Sequence, residues 1–346
     1  MAEKYTSVSS SEVAAAIDAA RAGIASDVAA LRLPNLAAVV LGGGYGRGEG
    51  GVRHAPDGDK LYNDLDLFVF TDGAGRRGRA RIADALKPVS EKWEKLLGVA
   101  VDFSPAKNLT SLRSVARTLM YQELVRGWKP VWGDAAPGRW IPEYPPEALP
   151  FSEAARLLLN RGMGLLFAGE RLAGKSEDAD FIVRNMHKAA LGAGDALLLA
   201  GKAYRWRGAE RLEALREYAE RTALAPDFVA SYERAWRYKL EPDPVLPEEP
   251  WAAWQTNRAF LLEAFRRVAG VDTLDAVASG LHRRAARERS WKNPLRRLRG
   301  GCPGTLSALF DPPVVTVAAL LCEVLAAEEQ PPRCPEKLLK LWQKFN

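Results

Sequence analysis

Histidine and cysteine are both scarce. The chain of 346 residues holds three of each, and their placement removes several chemistries at the outset. Cys302, Cys322 and Cys334 are odd in number and form no C-x-x-C pair, which argues against a disulfide framework and against a zinc site. His54, His187 and His282 stand far apart, so an HExxH hydrolase or a histidine-rich metal centre has no support, and histidine chemistry is not expected. Long apolar runs are also missing. The longest, VVTVAALLCEVLAA from Val314 to Ala327, is too short to span a bilayer and contains Glu323. The opening MAEKYTSVSSSEVAAAIDAARAG lacks a basic stretch followed by an uninterrupted apolar one, and reads as a capped amphipathic helix rather than a signal peptide. There is no internal repeat and no low-complexity tract, which sets solenoids aside. The expectation is a cytoplasmic protein in a reducing compartment, with no membrane partner.

What remains is a globular composition, 47% hydrophobic and 27% charged, and a length that allows about two domains. A chain of this size buries roughly three quarters of its unfolded surface, so its core needs no covalent staples. The net charge of +6 is concentrated: residues 282–299, HRRAARERSWKNPLRRLR, hold eight Lys and Arg against Glu288, which is +7 and leaves −1 for the rest. Such a run, with Trp291 inside it, suggests a phosphate-rich partner such as RNA, or a solvated basic helix face.

Periodicity divides the chain. Residues 11–31 carry apolar residues at helical spacing, with Ser9, Ser10 or Ser11 available as N-cap. Short β-rich pieces follow: LAAVVLGGG ending at Gly44, DLDLFVF from Asp64 to Phe70, and GVAVDFS from Gly98 to Ser104, the last two separated by a helical pattern. The Pro-rich passage from Trp140 to Pro150 interrupts regular structure, and beyond it nearly everything reads as helix, broken by a second Pro-rich connector from Glu241 to Pro250. The expected fold class is α+β: a small mixed-sheet domain with an N-terminal helix over residues 1–148, then an all-helical domain over 149–346.

The chemistry gathers in the β-rich part. In a strand alternate side chains share a face, so Asp64 and Asp66 lie together while Leu65, Leu67 and Val69 form a face built for burial. Two aspartates opening an apolar strand are costly unless a positive group compensates them, and a divalent cation with hard oxygen ligands is the usual one. The third strand repeats the placement with Asp102 opposite Val99, Val101 and Phe103, so pairing of the two strands would bring three carboxylates together. Upstream, the glycines of residues 42–50, GGGYGRGEG, allow backbone N–H groups to approach phosphate oxygens, and Arg47 supplies charge.

Gly43-Gly44-Tyr45-Gly46-Arg47-Gly48-Glu49, followed by Asn63-Asp64-Leu65-Asp66, resembles the signature of the polymerase-beta-like nucleotidyltransferase superfamily, whose minimal and kanamycin nucleotidyltransferase-like members read roughly G-S-x-A-R-G-E-A and then S-D-x-D. The resemblance covers residues 37 to about 105, under a third of the chain. It implies a nucleotidyltransferase domain that moves a nucleotidyl group from an NTP to an acceptor hydroxyl and releases pyrophosphate. It further implies two magnesium ions held by Asp64, Asp66 and Asp102, with Asp102 also a candidate base, and nucleotide contacts from Gly43, Gly44, Tyr45, Arg47 and Asn63. Acceptors in that superfamily include aminoglycosides, protein hydroxyls and RNA ends. Two departures stand out: the family serine is Gly44 here, and Arg47 and Asp64 are seventeen positions apart, about twice the usual spacing.

Other motifs compete. Gly46, Gly48 and Gly51 satisfy GxGxxG, yet Pro56 and Gly58 follow where a helix would have to open. Gly169–Ser176, GERLAGKS, satisfies the phosphate-binding loop of NTPases, giving a P-loop NTPase as an alternative; against it, the apolar pattern from Ala154 fits a helix ending near Gly174. Lys188 and Asp195 share a helix face that would look toward a nucleotide or simply toward solvent. Trp206, Trp236, Trp251 and Trp254 read as core. A second alternative is a non-catalytic RNA-binding protein on a degenerate transferase scaffold.

Overall fold

The computed structural model describes residues 5–134, 136–302, 308–327 and 333–345. Its contacts gather the chain into two units: Met1–Pro145 with Arg237–Asp243, and Pro146–Trp236 with Pro244–Asn346. The return of residues 237–243 to the first unit has no trace in the Pro-rich punctuation of the sequence.

The first unit opens with α1 (Ser11–Ala30), where the Ser10 side chain accepts a hydrogen bond from the amide of Val13. Val13, Ile17, Ala20, Ile24 and Val28, spaced by three and four, form its buried stripe. Strand β1 (Leu36–Leu41) runs into a single helical turn, α2 (Gly43–Gly46), and then into a hairpin of β2 (Val52–Ala55) and β3 (Gly58–Leu61). The extra length between Arg47 and Asp64 is this hairpin. Next come β4 (Leu65–Thr71), α3 (Arg76–Leu97), β5 (Val101–Phe103), β6 (Lys107–Asn108), α4 (Leu112–Val115), α5 (Leu119–Arg126) and β7 (Lys129–Gly133).

The main sheet has the order β5-β4-β1-β7, with β6 also paired to β4. Strand β1 is antiparallel to β4 and β7, and β5 and β6 run parallel to β4, so the sheet is mixed. One face of β4 (Leu65, Leu67, Val69) joins Val39 and Leu41 in a core closed by α1 and by Ile82, Leu86 and Val89 of α3. The other face corrects the expectation of a single buried side. Phe68 and Phe70 pack with Ala38 and Val40 against Leu112 of α4 and Tyr121, Leu124 and Val125 of α5. These two short helices cover it.

The second unit is helical throughout its described residues: α6 (Phe151–Ala173), α7 (Ala179–Ala200), α8 (Gly208–Thr222), α9 (Pro226–Leu240), α10 (Pro250–Ala269), α11 (Val277–Arg284), α12 (Asn293–Gly300), α13 (Pro313–Ala326) and α14 (Glu336–Phe345). The last turn of α9 is the part counted with the first unit. Helices α6 and α7 approach closely because glycines face bulk: a Cβ on Gly164 would lie 2.3 Å from Asn185, and one on Gly192 would lie 2.2 Å from Arg161. Trp236 and Trp254 are buried, whereas Trp206 and Trp251 are half-buried. The apolar run at the C-terminal end forms α13, which is buried on most sides. No helix among the described residues is long and apolar enough to cross a membrane.

Candidate functional site

Asp64, Asp66 and Asp102 lie on or just before two neighbouring strands of the sheet. Asp66 of β4 stands in register with Asp102 of the parallel neighbour β5, so the two strands do pair, which their patterns alone left open. Asp64 lies just before β4, where the amide of Leu65 donates to the Ala100 carbonyl at 2.9 Å. Asp64 and Asp66 are half-buried and Asp102 is exposed. The Asp102 carboxyl is raised above the ordinary aspartate value, first by partial loss of solvent, then by the negative charges of Asp64 and Glu94. Glu94, on α3, accepts from the amide of Val101 at 3.3 Å. Sequence reading had not included it.

The glycine turn is built against Asp66. The Gly42 amide donates to the Asp66 carbonyl at 2.8 Å, holding the end of β1 on β4. Gly43 has φ +60, and a Cβ there would fall 1.8 Å from Oδ2 of Asp66. Both the left-handed backbone and the carboxylate packed over its Cα require glycine at this position. At Gly44 a Cβ would meet the Glu49 carbonyl oxygen at 3.5 Å, an ordinary contact, so the position has room for the family's serine but carries no hydroxyl. The leading amides of α2 have no acceptor inside a helix of this length.

Three expected nucleotide contacts have other occupations. Tyr45 is fully buried. Its hydroxyl donates to the Gly51 carbonyl at 2.9 Å and accepts from the amides of Tyr62 and Asn63 at 3.0 and 3.4 Å. Burial pushes its phenol up to about 12. Tyr45 therefore locks the hairpin to the turn instead of facing a ligand. Asn63 does related work, its Oδ1 accepting from the Gly51 amide at 2.6 Å. Arg47 is held by Glu123 of α5 at 3.0 Å and by Glu49 at 3.7 Å, and Glu49, itself buried, also binds Lys239 at 2.9 Å. A guanidinium placed between two carboxylates offers little net charge to a phosphate. Glu123 and Lys239 were missed by sequence reading, because nothing local marks a partner 190 positions away.

Hard oxygen donors make the sheet end a fit for magnesium by type, and the raised Asp102 shows negative charge that a cation would relieve. Among the described residues, however, no three His, Cys, Asp or Glu side chains stand close enough to form a finished metal cage. The structure thus assembles an Asp66–Asp102 pair with Asp64 within electrostatic reach.

In the second unit, Lys188 is half-buried on α7, outside the group that the first unit brings together. Asp195 on the same helix is not a free surface charge: the Tyr232 hydroxyl donates to it at 2.6 Å and Arg211 pairs with it at 3.3 Å. The P-loop alternative fails structurally. Gly169–Ala173 is the last turn of α6, no strand precedes it, and Lys175 follows with φ +52. A cavity of about 590 Å³ opens there beside Phe167, Glu170 and Phe181, but Arg171 in its wall already stacks 3.4 Å from the Phe181 ring centre and pairs with Asp178.

Compared with protein-family models, curated proteins and solved structures, the chain matches none.

Proposed function

We propose that the first unit is a magnesium-dependent nucleotidyltransferase that moves an NMP group from an NTP to an acceptor hydroxyl and releases pyrophosphate. One observation carries this reading: Asp66 lies in register with Asp102 across adjacent parallel strands, while its carboxylate is seated on the Cα of Gly43 in a glycine turn. Hard anionic side chains beside the opening amides of a helical turn are what supports the reading.

Asp64, Asp66 and Asp102 would hold the metal, which when bound supplies charge neutralisation of the triphosphate and of the departing pyrophosphate. The amides opening α2, at Gly43 and Gly44, would donate to phosphate oxygens. Asp102 is suited to take the proton of the acceptor hydroxyl, because a carboxylate raised above its ordinary value is the better base. As that oxygen bonds to the α-phosphorus, the bond to pyrophosphate breaks and the proton moves to Asp102. Arg47 acts here as a positioning residue, tying α2 to α5 through Glu123.

The test is transfer from NTPs labelled at the α-phosphate, with magnesium and panels of RNA, protein and aminoglycoside acceptors, using Asp66→Asn as control. Label passed on by the native chain and lost in the variant supports the reading. No transfer with any acceptor, together with NTP binding indifferent to Asp66, overturns it. The neutralised Arg47 favours a second reading, a scaffold that binds nucleotide or RNA without catalysis; this predicts binding with no magnesium-dependent product.

A further inference from the structure

Helix α12 is inverted relative to an ordinary surface helix. Its inward positions are polar: Asn293 and Arg297, one turn apart, are 3% and 2% exposed. Its outward positions are apolar, with Leu295 47% and Leu298 80% exposed. The polar anchors explain the orientation. Asn293 donates through Nδ2 to the Phe310 carbonyl at 2.8 Å, and Arg297 donates to the Thr316 hydroxyl at 2.8 Å and to the Asp311 carbonyl at 3.2 Å. With these bonds made on the inner side, the leucines have nowhere to go but outward.

They are not isolated. Trp291, just before the helix, is 76% exposed, and Phe310 is exposed too, its carbonyl accepting from the Ser290 amide at 2.9 Å. On and beside the helix, Lys292, Arg296 and Arg299 are exposed, as are Arg283 and Arg287 shortly before it in the chain; none is in an ion pair among the described residues, and Lys292 lies 5.7 Å from the Trp291 ring centre. The other cations of the basic run have internal duties. Arg284 stacks over Phe151, Arg289 binds Asp311 at 2.7 Å, and Arg297 is buried.

We infer that this face of the second unit, Trp291, Leu295, Leu298 and Phe310 with the exposed cations Lys292, Arg296 and Arg299 on and beside the same helix, docks on an anionic lipid surface. Exposed aliphatic chains decide between occupants. A nucleic acid would satisfy the cations and Trp291, since bases stack on aromatic rings, but it buries leucines only by unstacking bases, at a cost in free energy for each step opened. An anionic bilayer meets all three needs: headgroup phosphates for the arginines, the interfacial zone for tryptophan, and acyl chains for the leucines. The contact is peripheral and requires no spanning segment. It stands independently of the transferase reading.

The experiment is sedimentation of the full chain with phosphatidylcholine vesicles, with and without roughly one third phosphatidylserine. Association is expected only with the anionic vesicles, weakening as salt is added. The double variant Leu295→Ser, Leu298→Ser should lower the partition coefficient about tenfold or more while leaving the far-ultraviolet dichroism intact, because both side chains are exposed. Bound native chain should show a blue shift of tryptophan emission that Trp291→Phe removes. Failure to bind anionic vesicles overturns the inference. So does binding that the double variant leaves unchanged, or tight binding of a structured RNA with lipid association absent, or self-association that the double variant abolishes.

Discussion

A methyl group at position 43 would land 1.8 Å from the carboxylate of Asp66, on a backbone that already has positive φ. Gly43→Ala should therefore move Asp66 out of line with Asp102 and reduce label transfer about a hundredfold, since misplacement near 1 Å has that effect. The measurement is kcat in the α-label assay, with dichroism to show the sheet intact. Asp102 has a second consequence, for stability. Its folded-state value is raised by lost solvent, Asp64 and Glu94, so the folded protein binds this proton more tightly than the unfolded chain does. Its contribution turns unfavourable above that raised value and is relieved as pH falls through it toward the ordinary 3.8. Asp102→Asn should thus raise the melting temperature at neutral pH while abolishing transfer. Glu94→Gln should instead keep activity and shift the acid limb of its pH profile downward. Unchanged melting in Asp102→Asn would mean that the charge crowding is not felt.

At the scale of elements, the hairpin of β2 and β3 is secured by polar bonds more than by apolar packing. Tyr45→Phe leaves the Gly51 carbonyl and the Tyr62 and Asn63 amides short of a buried partner and should cost about 1–3 kcal/mol in denaturant unfolding. The tip is held by His54, whose ring meets Asp59 at 2.7 Å and Glu241 at 3.3 Å, and these two carboxylates raise it above the ordinary 6.5. That attachment is complete below 6.5 and is lost as pH rises through the raised value, so amide protection in the hairpin should fall across that interval and His54→Gln should flatten the change. The same elements show what the sequence disclosed. Alternation in β4 and β5 set Asp66 and Asp102 opposite their apolar neighbours, because a period of two needs only neighbouring residues to be read, while that the two strands are adjacent and in register came from the fold. The hairpin escaped, since Arg53, His54, Asp59 and Lys60 dilute its alternation. The structural part played by the Tyr45 side chain has no mark in the sequence, because a motif records residue type but not burial. The second buried face of β4 depended on α4 and α5, too short to show a period.

Across the whole molecule, the first unit is discontinuous, and Lys239 closes it by pairing with the buried Glu49. Lys239→Met should destabilise that unit by roughly 1–3 kcal/mol by removing the 2.9 Å ion pair to the buried Glu49. A fragment ending at residue 145 should show a lower denaturation midpoint than the same unit within the full chain; an equal midpoint would show the returning segment to be passive. Discontinuity of this kind also sets an order of events during synthesis. Asp102 and Lys239 are 137 positions apart, which a ribosome covers in roughly 7–27 s at about 5–20 residues per second. Throughout that interval the aspartates have been translated while Glu49 has Arg47 but not yet Lys239. Completion of the carboxylate-bearing unit is thereby timed to the emergence of α4 to α8 and most of α9, and a stalled or prematurely terminated chain presents an unfinished one.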